Sequence, residues 1–373
     1  MKKKARTPYV DAAAFRLRLL TWYDEHARDL PWRLRPGGKI LPDPYRVWLS
    51  EIMLQQTRVA AVIEHYQEFL RRFPTVEKLA AARESSVLAS WSGLGYYRRA
   101  RMLHAAAKVI VKNLGGKFPH TADGWRDLPG IGRYTAAAIA SIAFGEAVAV
   151  VDGNVERVLQ RVVGEHLGQP GLWECAEHLL DRGRPGDFNQ AMMELGATIC
   201  APRAPACLTC PIIDFCATRG ELHAPARRLQ QRKREIHYAL AYRAQNHRDG
   251  AVRLVRRPQN ARLMAGMWEL PEIACPTNDI KPAFTVRHSI TTTDYSVQIW
   301  KLLPGRGLAG EWVGEKRLGR IPLTGLARKI LRKAGFIAGP NGGAQAVAIA
   351  QSPRNRGIPS GSQRYLASSN LSG

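Results

Sequence analysis

"LPGIGRYTAAAIASIAF" (residues 128–144) is the stretch on which the fold of the larger part of this chain turns. A Gly-x-Gly turn runs without a break into an apolar, alanine-rich segment of helical spacing. Gly130 and Gly132 can take positive φ and let a backbone or a ligand come close. The free N–H groups of the turn lie at the positive end of the helix dipole and favour an anion, with Arg133 beside them. A DNA phosphate suits such a hairpin. So does a plain helix–turn–helix connection, and the motif alone does not separate the two.

The charge balance points to a polyanion. The 373 residues carry 55 Lys+Arg against 31 Asp+Glu, a formal net charge of +24. Such a surface attracts nucleic acid first and anionic membrane second. No window approaches the ~18 apolar residues of a membrane span. The opening "MKKKARTPYVDAAAF" has no apolar core of a secretory leader, so a cytoplasmic location is expected.

Outward from the hairpin, residues 8–225 read as helical, with apolar periodicity in "AAAFRLRLLTWYDEH", across 45–73, and in "SVLASW" and "RRARMLHAAAKVIVKN". The stretch 35–44 is a loop. The charged segment 226–235 reads as a linker. Beyond it "HYALAYRA", "AVRLVRR", "FTVRH" and "YSVQIWKLL" alternate like strands, and "LTGLARKILRKAG" closes them as a helix. A second α+β domain over 236–336 follows, and the Gly/Ser/Asn-rich remainder, 337–373, is expected to be disordered.

Cys200, Cys207, Cys210 and Cys216 are separated by six, two and five residues. Four thiolates in one short loop can wrap a metal centre, and both Zn²⁺ and an iron–sulfur cluster take four cysteines. Cys175 and Cys275 lie apart from them and read as core residues.

Two acids stand out. Glu51 interrupts the apolar run of "VWLSEIMLQQTRVAAV" (47–62), which reads as a helix. Asp152 ends the apolar run "AVAVV" and opens a new helix in "DGNVERVLQRVV". It reads as an N-cap that can also project a fixed charge into a cleft. A carboxyl buried in an apolar helix keeps its proton to higher pH, whereas one at a helix N-terminus is suited to stay ionised. Two acids with opposed shifts are the logic of glycosidic-bond cleavage.

Taken together, "LPGIGRYTAAAI…VDGN" and the cysteine spacing resemble the helix-hairpin-helix base-excision DNA glycosylases. "PWR" (31–33), "SEIMLQQT" (50–57), "GLGYYRRAR" (93–101) and "FNQAMMELGA" (188–197) narrow the resemblance to the MutY-type adenine DNA glycosylases. The resemblance implies a mainly α, two-lobed catalytic region over 8–225. One lobe would be a six-helix barrel over about 31–130. The other, built from 8–30 and 131–225, would carry one [4Fe-4S] cluster on the four cysteines. It implies hydrolysis of the N-glycosidic bond of adenine opposite 8-oxoguanine or guanine in double-stranded DNA, by a monomer, with base flipping. Carried over by position, Glu51 matches the catalytic acid and Asp152 the second carboxylate, with Asn154 beside it. Tyr134 stands where related bifunctional enzymes have a lysine nucleophile. Gln56 and Tyr96 match residues that wedge into the base stack, next to Gln55. Trp32, Arg33 and Gln190 match residues around the extruded adenine. From the sequence itself, Arg98, Arg99 and Arg101 either face phosphates or form a solvated helix face.

The 236–336 region resembles the family's Nudix-like C-terminal domain, through "RRPQNARLMAGMWELPE" (256–272). The acidic box of a Nudix hydrolase is missing. Many family members place Phe-Ser-His in the loop that touches 8-oxoguanine. Here Ile290-Thr291-Thr292 occupies that place, with Thr291 keeping only the hydroxyl. Two other readings stand beside this one. The first is a glycosylase of the same superfamily for oxidised pyrimidines or G·T mismatches; the second is a non-catalytic Fe–S DNA-binding protein.

Overall fold

The structure, a computed structural model, describes residues 10–38, 40–222, 232–245, 249–261, 263–276, 281–290, 293–302 and 308–337. The expected tail beyond residue 337, residues 226–231 of the expected linker, and Thr291 with Thr292 lie outside the described residues.

The first part is helical: α1 (Ala12–His26), α2 (Pro44–Leu54), α3 (Val59–Arg72), α4 (Val76–Ala81), α5 (Glu84–Ser90), α6 (Arg98–Asn113), α7 (Ala122–Arg126), α8 (Arg133–Phe144), α9 (Gly153–Val163), α10 (Gln169–Leu179) and α11 (Pro185–Thr198). α2 starts where local chemistry dictates. Asp43 caps it by accepting from the amides of Tyr45 (2.7 Å) and Arg46 (3.1 Å), and Pro44 occupies the first turn.

The stretch 47–62 reads as one helix, but α2 stops at Leu54 and α3 begins at Val59. Gln56 between them has φ 55°, a left-handed backbone that ends an α-helix. The apolar pattern continues on both sides of the break, so the pattern hides it.

α1 packs on α10 and α11, while α2 packs on α3, α6 and α8. α8 touches α2, α7 and α11, and so sits between the two groups of helices. One connected apolar core runs through them all, from Phe15 and Leu19 to Trp48, Trp91, Trp125, Ile139 and Leu195.

The second part is a sheet with two helices: β1 (Arg232–Gln245), β2 (Asp249–Arg256), β3 (Trp268–Glu269), β4 (Glu272–Ile273), β5 (Phe284–Ile290), β6 (Thr293–Leu302), β7 (Glu311–Gly314), then α12 (Glu315–Leu318) and α13 (Gly325–Lys333). The strand order is β3-β2-β1-β6-β5, with β4 on β1 and β7 on β2. β1 and β6 run parallel and the other pairs are antiparallel. The expected linker is therefore too long by four residues: Arg232–Glu235 are already strand, paired with Thr293–Ser296. The apolar face of α13 (Leu326, Ile330, Leu331) closes over Val252, Val297 and Ile299.

The two parts touch. Tyr97 Oη and Ser92 Oγ donate to the Leu323 carbonyl (2.9 and 3.0 Å), and Arg328 Nε donates to Ser92 Oγ (2.8 Å). Arg101 bonds Glu84 and the Ala265 carbonyl.

Candidate active site

Glu51 lies in the middle of α2, where the helix uses every backbone amide. Its side chain has no backbone donor and is 7% exposed. The Tyr134 hydroxyl on α8 donates to its Oε2 at 2.7 Å and lies 3.2 Å from Met193 Sδ. Burial pushes the Glu51 pKa up to about 7. The tyrosine hydrogen bond and the charge of Arg33 work against that rise, and the charge of Asp152 adds to it. Burial, with the charges of Glu51 and Asp152, also holds the Tyr134 phenol well above its ordinary range. Glu51, Tyr134 and Asp152 thus form one electrostatic neighbourhood, built from α2, α8 and the start of α9.

Asp152 is delivered by the buried run Ala149–Val151 to the N-cap of α9. Its Oδ1 accepts from the amides of Asn154 (2.9 Å) and Val155 (2.8 Å), and its Oδ2 from Asn154 Nδ2 (3.0 Å). Both readings of Asp152, cap and fixed charge, therefore hold together. One expectation fails. Burial raises the Asp152 pKa as well, so the two shifts share a direction. The donors differ: three N–H groups, with the charge of Arg157, favour the Asp152 anion, whereas one phenol, with the charge of Arg33, favours that of Glu51.

A chain of bonds leads from Asp152 to the cysteines. Asn154 Oδ1 accepts from Arg157 Nη2 (2.9 Å), which also donates to the Gly196 carbonyl (2.6 Å), while Arg157 Nε donates to the Cys200 carbonyl (2.8 Å). Gly196 permits this approach, since a Cβ there would stand 2.9 Å from the Asn154 carbonyl oxygen.

Cys200, Cys207, Cys210 and Cys216 are unpaired and half-buried; Cys200 follows α11, and the other three lie on and beside two 3₁₀ turns, Cys207–Thr209 and Ile213–Phe215. Burial pushes the Cys210 thiol up to about 11, and Cys200, Cys216 and Cys207 add to the rise, so the four are neighbours. Arg161 Nη1 donates to Cys200 Sγ (3.2 Å) and the Arg219 amide to Cys216 Sγ (3.3 Å). Among the described residues no three His, Cys, Asp or Glu side chains close on a single metal ion. Cys175 is in the core as expected, but Cys275 is exposed.

The hairpin glycines divide. Gly130 has φ 77°, with Met102 packed where a Cβ would stand, whereas Gly132 is extended at φ −93° and needs no special freedom. No side chain caps the first amides of α8, and the exposed Arg133 stacks over Trp173 at 3.7 Å.

Gln56 and Tyr96, the expected wedges, line a groove of about 1150 Å³ between the helical part and the sheet part. Tyr96 is 51% exposed. Both are left-handed, at φ 55° and 48°. Ile52 and Gln55 reach the groove wall, whereas Glu51 does not.

Other expected contacts are already bonded or packed within the protein. Gln55 Nε2 donates to Thr135 Oγ1 (3.1 Å). Trp32 is buried, edge-on to Tyr66 at 5.2 Å. Arg33 pairs with Glu194 (3.1 Å), which is also held by Arg28 (2.5 Å). Gln190 Nε2 donates back to the Gly186 carbonyl (3.3 Å). Arg99 spends its guanidinium on backbone carbonyls and Arg101 on Glu84 and Ala265, so of the three arginines read as facing phosphates or solvent only Arg98 is exposed. Sequence reasoning missed Glu194. It carries the same signal as Glu51, an acid inside an apolar helix. Burial works against its ionisation, but the hydrogen bonds and charges of Arg28 and Arg33 prevail and lower its pKa.

The profile of the HhH-GPD superfamily of base excision DNA repair proteins matches residues 49–170. That span holds Glu51, the hairpin, Tyr134 and Asp152. A solved structure of a thermostable thymine-DNA glycosylase is 33% identical with a TM-score of 0.51, covering 56% of this chain and 96% of its own. The chain belongs to the HhH-GPD superfamily. The chain is also similar to the adenine DNA glycosylase of Homo sapiens, 41% identical over 317 residues. That match covers 70% of this chain and 58% of the human protein. The adenine DNA glycosylase of Arabidopsis thaliana is 39% identical over 302 residues, covering 69% of this chain and 47% of its own. The chain thus spans 58% and 47% of the lengths of these two relatives. No helix among the described residues is long and apolar enough to cross a membrane.

Proposed function

We propose that this HhH-GPD protein is an adenine DNA N-glycosylase of base excision repair. The observation that carries the reading is the Glu51 carboxyl, buried among apolar side chains, with a pKa raised to about 7 and Asp152 in its electrostatic range. Adenine is a poor leaving group as an anion. Glu51, still substantially protonated at neutral pH, donates a proton to N7 of the extruded base. The C1′–N9 electron pair leaves with adenine, and the Asp152 anion faces the oxocarbenium-like sugar. Water, attacking directly or after Asp152 has bonded to C1′, supplies the hydroxyl at C1′, and the proton it releases returns to the Glu51 carboxylate. At position 134 a phenol, not an amine, stands beside Glu51, which supports hydrolysis over a Schiff-base lyase.

The substrate is double-stranded DNA bearing A·8-oxoguanine or A·G, bound by a monomer. The net charge of +24 and the uncapped amides at the start of α8 support the DNA partner. The sheet part serves as a Nudix-like module that reads the opposite base. With Ile290-Thr291-Thr292 in place of an aromatic–Ser–His loop, its preference for 8-oxoguanine over guanine is weak.

Cys200, Cys207, Cys210 and Cys216 would hold one [4Fe-4S] cluster. The donor set is all thiol, and N–H groups already aim at two of the sulfurs, as thiolates or cluster ligands require. Bound there, the cluster supplies a rigid cross-link of the segment that Arg157 and Arg161 tie to α9. Iron and acid-labile sulfide in equal amount in the purified chain check the assignment; zinc instead would overturn it.

A second reading, release of thymine, is favoured by the 33% identity to a thymine-DNA glycosylase. One experiment separates the two: strand cleavage by alkali after incubation with duplexes holding A·8-oxoguanine, A·G, A·C, G·T or thymine glycol. Cutting at adenine supports the first reading, and cutting only at thymine replaces it.

A further inference from the structure

Arg99 lies in "GLGYYRRAR" and, by sequence, belongs to a basic helix face. Its guanidinium instead points into the protein. Nη1 donates to the carbonyls of Ile52 (2.8 Å), Met53 (2.9 Å) and Gln55. Nη2 donates to Thr57 Oγ1 (3.1 Å) and to the carbonyls of Leu94 and Gly95 (both 3.3 Å). The rings of Trp91 and Tyr96 stand 5.5 and 5.4 Å from its centre.

This one side chain therefore holds two turns that are some forty residues apart in sequence. The first follows α2 and contains Gln56; the second precedes α6 and contains Tyr96. Each has a non-glycine residue in the left-handed region, at φ 55° and 48°. Such a backbone persists only where its surroundings over-determine it, and it gathers at functional sites. The carbonyls at the end of α2 also need donors, and a cation at a helix C-terminus is favoured by the dipole. Both side chains line the same groove.

We infer that Arg99 is a positioning residue that presets Gln56 and Tyr96 as one rigid two-pronged probe, acting on extrusion of the target base and not on bond cleavage. This rests on the glycosylase reading above. Reading a base outside the stack requires that the gap be filled, and a probe already ordered loses no conformational freedom on entering DNA. Lysine cannot replace the arginine. Its ammonium is a single point of donors and does not span both turns, as the planar fork does.

The test uses the full chain with the target adenine replaced by 2-aminopurine, whose fluorescence rises on unstacking, and in parallel an adenine-release assay. Arg99→Lys slows the fluorescence rise between about tenfold and a hundredfold. On a duplex whose adenine is already unpaired in a bulge, its adenine release stays within a few fold of wild type. Glu51→Gln does the reverse, with normal extrusion and no release. In a double-mutant cycle the effect of Arg99→Lys on extrusion vanishes on a Gln56→Ala, Tyr96→Ala background. If Arg99→Lys does not fold, Thr57→Val removes one of the contacts and slows extrusion in the same sense. Extrusion at the wild-type rate in these variants, or equal loss on paired and bulged substrates, would overturn the inference. A wild-type chain that extrudes the base but releases no adenine counts against the glycosylase reading alone.

Discussion

Glu51 and Asp152 carry the same functional group at two different places on a helix. Glu51 sits in the interior of α2, where the amides around it are already bonded, and its one donor is a tyrosine from another helix. Asp152 sits at the start of α9, where two amides are unused by the helix and a side-chain amide joins them. Burial raises the proton affinity of both. The position along the helix then sets the donors each can gather: one phenol in mid-helix, three N–H groups at the cap, with Arg33 and Arg157 adding their charges.

The largest test of that contrast is Glu51→Gln, which keeps the shape and removes the acid. Adenine release falls by about 10²–10⁴-fold while DNA binding is retained, measured by single-turnover cleavage and a binding titration. Full activity would break the comparison. Asp152→Asn keeps a good cap but drops the charge. Release falls by roughly 10²–10³-fold with little change in melting temperature.

The next effect is on stability. A carboxyl raised from 4.5 to about 7 on folding favours the folded chain while protonated, so this contribution is full below about pH 4.5 and is lost as pH rises through about 7. The loss is on the order of 3 kcal/mol. Denaturant unfolding at several pH values should show that slope in the wild type and not in Glu51→Gln, which is the more stable chain above pH 7. Asp152→Ala, compared with Asp152→Asn, isolates the cap and costs about 1 kcal/mol in the same measurement. The smallest effect is Tyr134→Phe. Its hydroxyl lowers the Glu51 pKa, so its loss keeps the acid protonated to higher pH. The alkaline fall of the release rate, centred near 7 in the wild type, moves upward.

Legibility in the sequence followed range. Asp43 and Asp152 announce their helices because their partners lie two and three residues away. The strand alternation of β1, β2, β5 and β6 and the apolar stripe of α13 were legible for the same reason, though the expected linker overran the start of β1 by four residues. The break after α2 was not. Val59 and Val62 continue the periodicity, and what ends the helix is tied down by Arg99 from α6. Trp32 and Arg33 read as pocket residues; Trp32 packs on Tyr66, and Arg33 pairs with Glu194 while its charge reaches Glu51.

By itself the sequence determined a helical region with a Gly-x-Gly hairpin, a grouped set of four cysteines, a basic surface, a second α+β region and two acids worth watching. Each is a property of composition or of neighbours within a few residues. The tertiary structure alone decided that Glu51 keeps a proton to about pH 7, that Asp152 shares its field, and that Arg99 faces inward. These depend on pairs far apart in the chain: Tyr134 is 83 residues from Glu51, and Glu194 is 161 from Arg33. Burial and hydrogen bonding shift a proton only when the fold has brought such partners together.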